Sequence, residues 1–213
     1  MISKAAAEHV LAEAVRTGGD FAELFLEDTR RANMTLANGT IDDAVTGRNH
    51  GAGVRVYHGL ESVYVHTNDT SESGLVKAAR QAASAMGDAA VARDITLTGS
   101  IARNIHAIER MPMDVSGAER ARLVHEAYIA AKDYDNDVKQ VRVMLYSWDT
   151  DVTIANSEGL FVSDKRVYTR MGITAVASDG TENQTGFNGP GAMMGYELFK
   201  NRVNVADAAR EAA

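Results

Sequence analysis

The chain opens on the spacing of a helix. Val10, Leu11, Ala14 and Val15 fall on one stripe, Ser3 stands where an N-cap belongs, and Gly18-Gly19 follows, so residues 3–17 are predicted helical. The period then changes. Residues 21–29 carry apolar side chains at mixed spacing, and "RANMTLANGTIDDAV" places Asn38-Gly39 between two runs, the two-residue hairpin signal. In "GAGVRVYHGLESVYVHT", Val54 and Val56 alternate with Arg55 and Tyr57, the chain turns near His58-Gly59, and the alternation resumes through Val63 and Val65. "TSESGLVKAARQAASAMG" is helical again, capped at Thr70 or Ser71 and closed by Gly87. The first ninety residues therefore predict a helix, four or five strands, and a helix.

A less regular stretch around Pro112 leads to a capping box, Ser116 to Glu119, and Ala121, Val124, Ala127, Tyr128 and Ala131 carry a helix to about Asp133. Residues 141–187 alternate again, rich in Val, Ile, Tyr and Thr, with turn signals at Asn156 to Gly159 and Ser178 to Gly180. A helix from about Asn204 closes the chain. The halves share an order: "TLANGTI" matches "TIANSEGLF" at an offset of 118 on the asparagines, and "GVRVYHGLES" matches "GITAVASDGTEN" at 119 on the glycines. The predicted class is α+β, with antiparallel hairpin-rich sheets and flanking helices. Either a helix-sheet-helix unit is duplicated, as 1–90 and 114–213, or two meanders resemble each other because turn residues are a small menu.

Composition narrows the partners. The 213 residues are 45% apolar, enough for a core, and carry a formal charge of -7 with Lys and Arg scattered rather than stacked in a patch, which predicts no nucleic-acid partner. No run approaches the roughly 18 to 20 apolar residues that span a bilayer, and "MISKAAAEHVLAEAV" holds charges within its apolar stretch, so no membrane role and a cytoplasmic location are expected. Cysteine is absent. That excludes disulfides, thiolate nucleophiles and Cys-ligated metal within these residues.

Several stretches invite a chemical reading. "VHEAYIAA" begins like the helix of a zinc peptidase, but Ile129 and Ala130 stand where a second His is needed, leaving His125 and Glu126 on an ordinary amphipathic helix. "DYDND" at 133–137 has the acidic alternation of a calcium loop, with Val138 and Met144 in place of its Gly and Glu. His50, His58 and His66 recur every eight residues; a hairpin turning near Gly59 brings His50 and His66 together at one end and leaves His58 at the other, without a third ligand. "GFNGPGAMMGYE" is glycine-dense but lacks the Lys and Ser/Thr of a phosphate loop. It is either a structural loop of positive φ angles or a segment whose bare backbone approaches a ligand or partner. With no nucleophile elbow either, these residues predict no catalytic residue and no metal site.

The order of segments nevertheless resembles a known family. Residues 20–69, with the "GAGVRV" strand and its hairpin, then "ANSEG" and "GPGAMMGYE", resemble the N-terminal half of TldD/PmbA proteins, more TldD-like than PmbA-like, once labelled modulators of DNA gyrase and regarded as metallopeptidases. In that family H-E-x-x-x-H and a Cys lie in the C-terminal half. The resemblance implies that residues 1–213 are an N-terminal domain without the catalytic one, that zinc belongs to the full-length protein, and that the intact protein cleaves peptides through a metal-activated water with the motif Glu as base. It further implies a peptide substrate and a homo- or hetero-dimer with a family partner subunit. Asn188, Gly189, Gly191 and Tyr196 are expected to border the substrate on a mobile loop; the competing expectation is a rigid turn under the C-terminal helix with Tyr196 in the core. Three roles stay open: scaffold and cleft of a peptidase, half of a non-catalytic partner subunit, or a free-standing binding module.

Overall fold

A computed structural model describes residues 2–87, 91–101, 105–106 and 108–213. The first helix, α1 (Lys4–Val15), starts where Ser3 accepts the Ala6 N–H at 3.2 Å. Three strands follow, β1 (Phe21–Ala37), β2 (Thr40–His58) and β3 (Glu61–Thr67), then α2 (Glu72–Met86), capped by Ser71, and β4 (Thr98–Ile101). The second half runs α3 (Gly117–Lys132), β5 (Val138–Asn156), β6 (Leu160–Ser178), β7 (Asn183–Asn188), β8 (Gly191–Ala192), α4 (Leu198–Asn201) and α5 (Val205–Ala212), the last capped by Asn204. Strand order is β3-β2-β1-β5-β6-β4, with β7 and β8 also on β6. β3 pairs antiparallel with β2, and β7 and β8 pair antiparallel with β6, whereas β4 lies parallel to β6. The protein is α+β, as its pattern predicts.

The strand count of the first half needs correction. β1 is one strand of 17 residues and β2 one of 19, so three strands stand where four or five were expected. The polar run Glu27 to Arg31 falls inside β1. It is absorbed within the strand: Thr29 Oγ1 lies 3.0 Å from Thr150 Oγ1, and Arg30 Nε donates to the buried Asp149 carboxylate at 2.9 Å. A buried charge matched in this way costs far less than an unpaired one.

The chain forms two compact units. The first comprises residues 1–29, 49–104 and 150–165. Its core joins Val10, Leu11 and Val15 of α1 and Leu75 and Ala79 of α2 to Leu24, Val54, Val56 and Ala155 from the strands. The second comprises 30–48, 105–149 and 166–213. There Val124 and Ala127 of α3 and Val205 and Ala209 of α5 cover Leu36, Val143, Leu145, Met171 and Ile173. The order helix, two long strands, short antiparallel strand, helix occurs twice, as α1-β1-β2-β3-α2 and as α3-β5-β6-β7-α5 with β8 and α4 inserted. The compact units do not divide at the boundaries of 1–90 and 114–213, since each takes strand segments from both halves.

Candidate functional site

In β6 the side chains of Val167, Thr169, Met171 and Ile173 are buried, which sends Tyr168 and Arg170 to the opposite face. In β5 the buried set is Val143, Leu145, Ser147 and Asp149, so Trp148 faces the same way as Tyr168. The two rings stack with centroids 5.0 Å apart and planes 22° apart. β8 lies beside them, with Gly191 opposite Arg170 and Ala192 opposite Thr169. The Pro190 carbonyl accepts the Met171 N–H at 2.9 Å and anchors the loop. Together Trp148, Tyr168, Arg170, Gly189, Gly191 and Met193 line a cavity of about 560 Å³.

The glycines of this loop are not there for positive φ. Positive φ occurs at Gly18, Gly39, Gly59, Gly87, Gly159 and Gly180, but not at Gly186, Gly189, Gly191 or Gly195. Gly186, Gly191 and Gly195 sit where a Cβ would meet backbone or the root of a side chain, and Gly189 where it would meet the ends of Arg170 and Phe187. A Cβ on Gly191 would lie 2.9 Å from Cβ and Cγ of Arg170, one on Gly189 2.8 Å from Nη2 of the same arginine, and one on Gly186 2.1 Å from the Ala212 carbonyl. Close approach, rather than a left-handed backbone, is the reason for glycine here.

The four expected site residues part company. Gly189 and Gly191 border the cavity. Asn188 instead donates to the Ala208 carbonyl at 3.1 Å and to Glu211 Oε2 at 2.8 Å, tying β7 to α5. Tyr196 is 4% exposed, packs edge-on against Phe199 at 5.8 Å, and donates its N–H to the Arg110 carbonyl, and burial pushes its phenol above the usual range. Beside it the buried Glu197 carboxylate accepts the N–H groups of Gly195 at 2.8 Å and Arg110 at 3.0 Å. Sequence reading missed Trp148, Tyr168 and Arg170, although the Val and Ile alternation on either side already assigns them to the face opposite the core.

Among the described residues no three His, Asp or Glu side chains converge as a metal site. His50 and His66 both line a cavity of about 220 Å³ with Glu27, although His66 pairs with Gly53 rather than with His50, while His58 pairs across from Glu61 and sits 3.6 Å from Asp20. On α3, His125 is half-buried and Glu126 exposed along a groove of about 670 Å³ shared with α5, with Ile129 and Ala130 where further ligands would be needed. The acidic run ends as a solvated turn, in which Asp135 accepts the Asp137 N–H at 2.8 Å. No helix among the described residues is long and apolar enough to cross a membrane.

Comparison with known proteins places this arrangement. The PmbA/TldA metallopeptidase domain 1 matches residues 22–85 and the central domain of the same family matches residues 111–213. A metalloprotease of Methanothermobacter thermautotrophicus is 25% identical over 183 residues, covering 85% of this chain and 39% of its own length. A metalloprotease TldD homolog of Buchnera aphidicola is 22% identical over 187 residues, covering 86% and 38%. Among solved structures, a protein of Thermotoga maritima described as a modulator of a DNA gyrase superposes with a TM-score of 0.74 at 18% identity, over 98% of this chain and 46% of that one. TldE of Thermococcus kodakarensis superposes with a TM-score of 0.71 at 14% identity, over 97% and 46%. The chain thus spans less than half the length of these relatives. With two consecutive family domains matched along it, the chain belongs to the PmbA/TldD metallopeptidase family.

Proposed function

We propose that these 213 residues are the N-terminal scaffold and peptide cleft of a cytoplasmic zinc metallopeptidase, without peptidase activity or tight zinc of their own. The supporting observation is the cavity formed by Gly189 and Gly191 against Arg170, Trp148 and Tyr168, a concave site edged by bare backbone. Within the reading, the metal and its general base belong to the remainder of the longer protein. The present residues bind and orient an extended peptide. Over residues 40–48, β2 lies beyond the β3 register, and its exposed outer edge suits pairing with a partner subunit of the family.

Peptide cleavage by the full-length protein tests the reading. A Gly191→Val change, which drives a side chain into Arg170 and fills the cavity, is expected to lower kcat/KM at least about tenfold while the circular dichroism spectrum stays unchanged. Cleavage at the unaltered rate in that variant would remove the cavity from the peptide path.

A further inference from the structure

Arg170 differs from several cations of the described residues that are matched by a carboxylate. Arg30 is matched by Asp149, Arg80 by Glu13 and Arg110 by Glu119, and Lys165 meets Asp151 at 2.8 Å. Arg170 is exposed and has no ion pair or hydrogen bond among the described residues, although the chain carries seven more acidic than basic side chains. The root of its side chain is packed. Its Cβ and Cγ pack against Gly191, its Nη2 lies against Gly189, and the β8 pairing fixes the backbone on which it stands. Gly191 is required by where the root of this arginine lies. A guanidinium on a stem packed at Cβ and Cγ and left without a carboxylate is open to an anion, and its planar fork matches the geometry of a carboxylate.

The rest of the cavity indicates what carries that anion. The stacked faces of Trp148 and Tyr168 offer an apolar platform beside the charge. The short strand β8 pairs with β6 on one side, so an extended chain can run along Gly189 to Ala192. Aromatic rings beside arginine also occur in single-strand nucleic-acid sites, but those track a phosphate chain with several cations. Here one arginine lines the cavity, in a protein of net charge -7.

Resting on the cleft reading above, we propose that the Trp148–Tyr168–Arg170 cavity selects acidic peptide segments: a carboxylate seats on the Arg170 guanidinium while a neighbouring apolar side chain lies on the stacked rings. Bidentate contact between a guanidinium and a carboxylate supplies the selectivity.

Trp148 is the only tryptophan of the chain, so its fluorescence reports on this cavity alone. The 213-residue protein is titrated with two extended peptides of one sequence, the first with Glu flanking a central Phe, the second with Gln at those positions. The acidic peptide is expected to perturb Trp148 at about tenfold lower concentration than its twin, an advantage that shrinks at high salt. Arg170→Gln should erase the difference, and Arg170→Lys should restore part of it. Equal binding of the two peptides overturns the carboxylate assignment and leaves the cleft in place. No response to either peptide overturns both. Tighter binding of an oligodeoxythymidylate than of the acidic peptide overturns the proposal in favour of a nucleic-acid site.

Discussion

At the scale of single residues, Glu13 links two helices through its charge. Its carboxylate accepts from Nε and Nη2 of Arg80, both at 3.0 Å, and from Arg16 at 3.1 Å, joining α1 to α2. The Arg80 guanidinium is the chief cause holding this carboxyl at about 2, against 4.5 for an ordinary glutamate. Because the folded value lies below the unfolded one, the stabilisation is present above pH 4.5 and is lost as pH falls toward 2. Arg80 and Arg16 are half exposed, so solvent screens the contacts and the contribution is about 1 kcal/mol or less. Urea midpoints measured from pH 5 to pH 2.5 should therefore fall more steeply in the native protein than in Glu13→Gln. Parallel slopes for the two would show that Glu13 has no part in acid sensitivity. The chief partner was not visible in the sequence, since Arg80 stands 67 positions away in another helix.

At the scale of elements, caps and turns were the most legible features. Ser3, Ser71, Ser116 and Asn204 each cap the helix that the periodicity assigned to them. The capping box is only half formed. Ser116 Oγ accepts the Glu119 N–H at 3.2 Å, but the Glu119 carboxylate turns to Arg110 instead of reaching back to the cap. The hairpin at Asn38-Gly39 has φ of 48° and 86°, the two positive values of a type I′ turn, and Asn38 Oδ1 accepts the Val141 N–H at 3.1 Å. A Cβ on Gly39 would lie 3.3 Å from the Tyr128 ring on α3, so strain and crowding act together. Gly39→Val is expected to cost about 1 to 3 kcal/mol and to lower Tm. An unchanged Tm would mean that this turn does not hold the register of β1 on β2.

At the scale of the molecule, the decisive feature is that strands from each half enter both compact units. The first unit needs residues 150–165: Ala155 lies in its core, and the Ala22 N–H donates to Ser157 Oγ at 2.9 Å while the Ser157 N–H donates to the Ala22 carbonyl at 2.9 Å. The second unit needs residues 30–48, which bring Met34 and Leu36. Neither 1–104 nor 105–213 expressed alone should therefore show a cooperative thermal transition by circular dichroism, whereas the two produced together should recover one. A sharp melt of 1–104 by itself would contradict the shared construction.

What the sequence by itself determined is local. Helix stripes, cap residues, turn dipeptides and strand alternation act within a few positions, and the order of motifs along the chain carried the family resemblance that the domain matches bear out. That His50 and His66 lie toward one end of the hairpin and His58 at the other followed from the same local logic, because a hairpin turn fixes the register of its own two strands. The tertiary structure decided what depends on partners far along the chain. It carried β1 unbroken through its polar middle by supplying Asp149 and Thr150 across the strand. It buried Tyr196 and tied Asn188 to α5, and it brought Trp148, Tyr168 and Arg170 against a glycine strand. The spacing of glycines in a sequence does not say whether a turn or a neighbour requires them; only the position of Arg170 and the Ala212 carbonyl answers that.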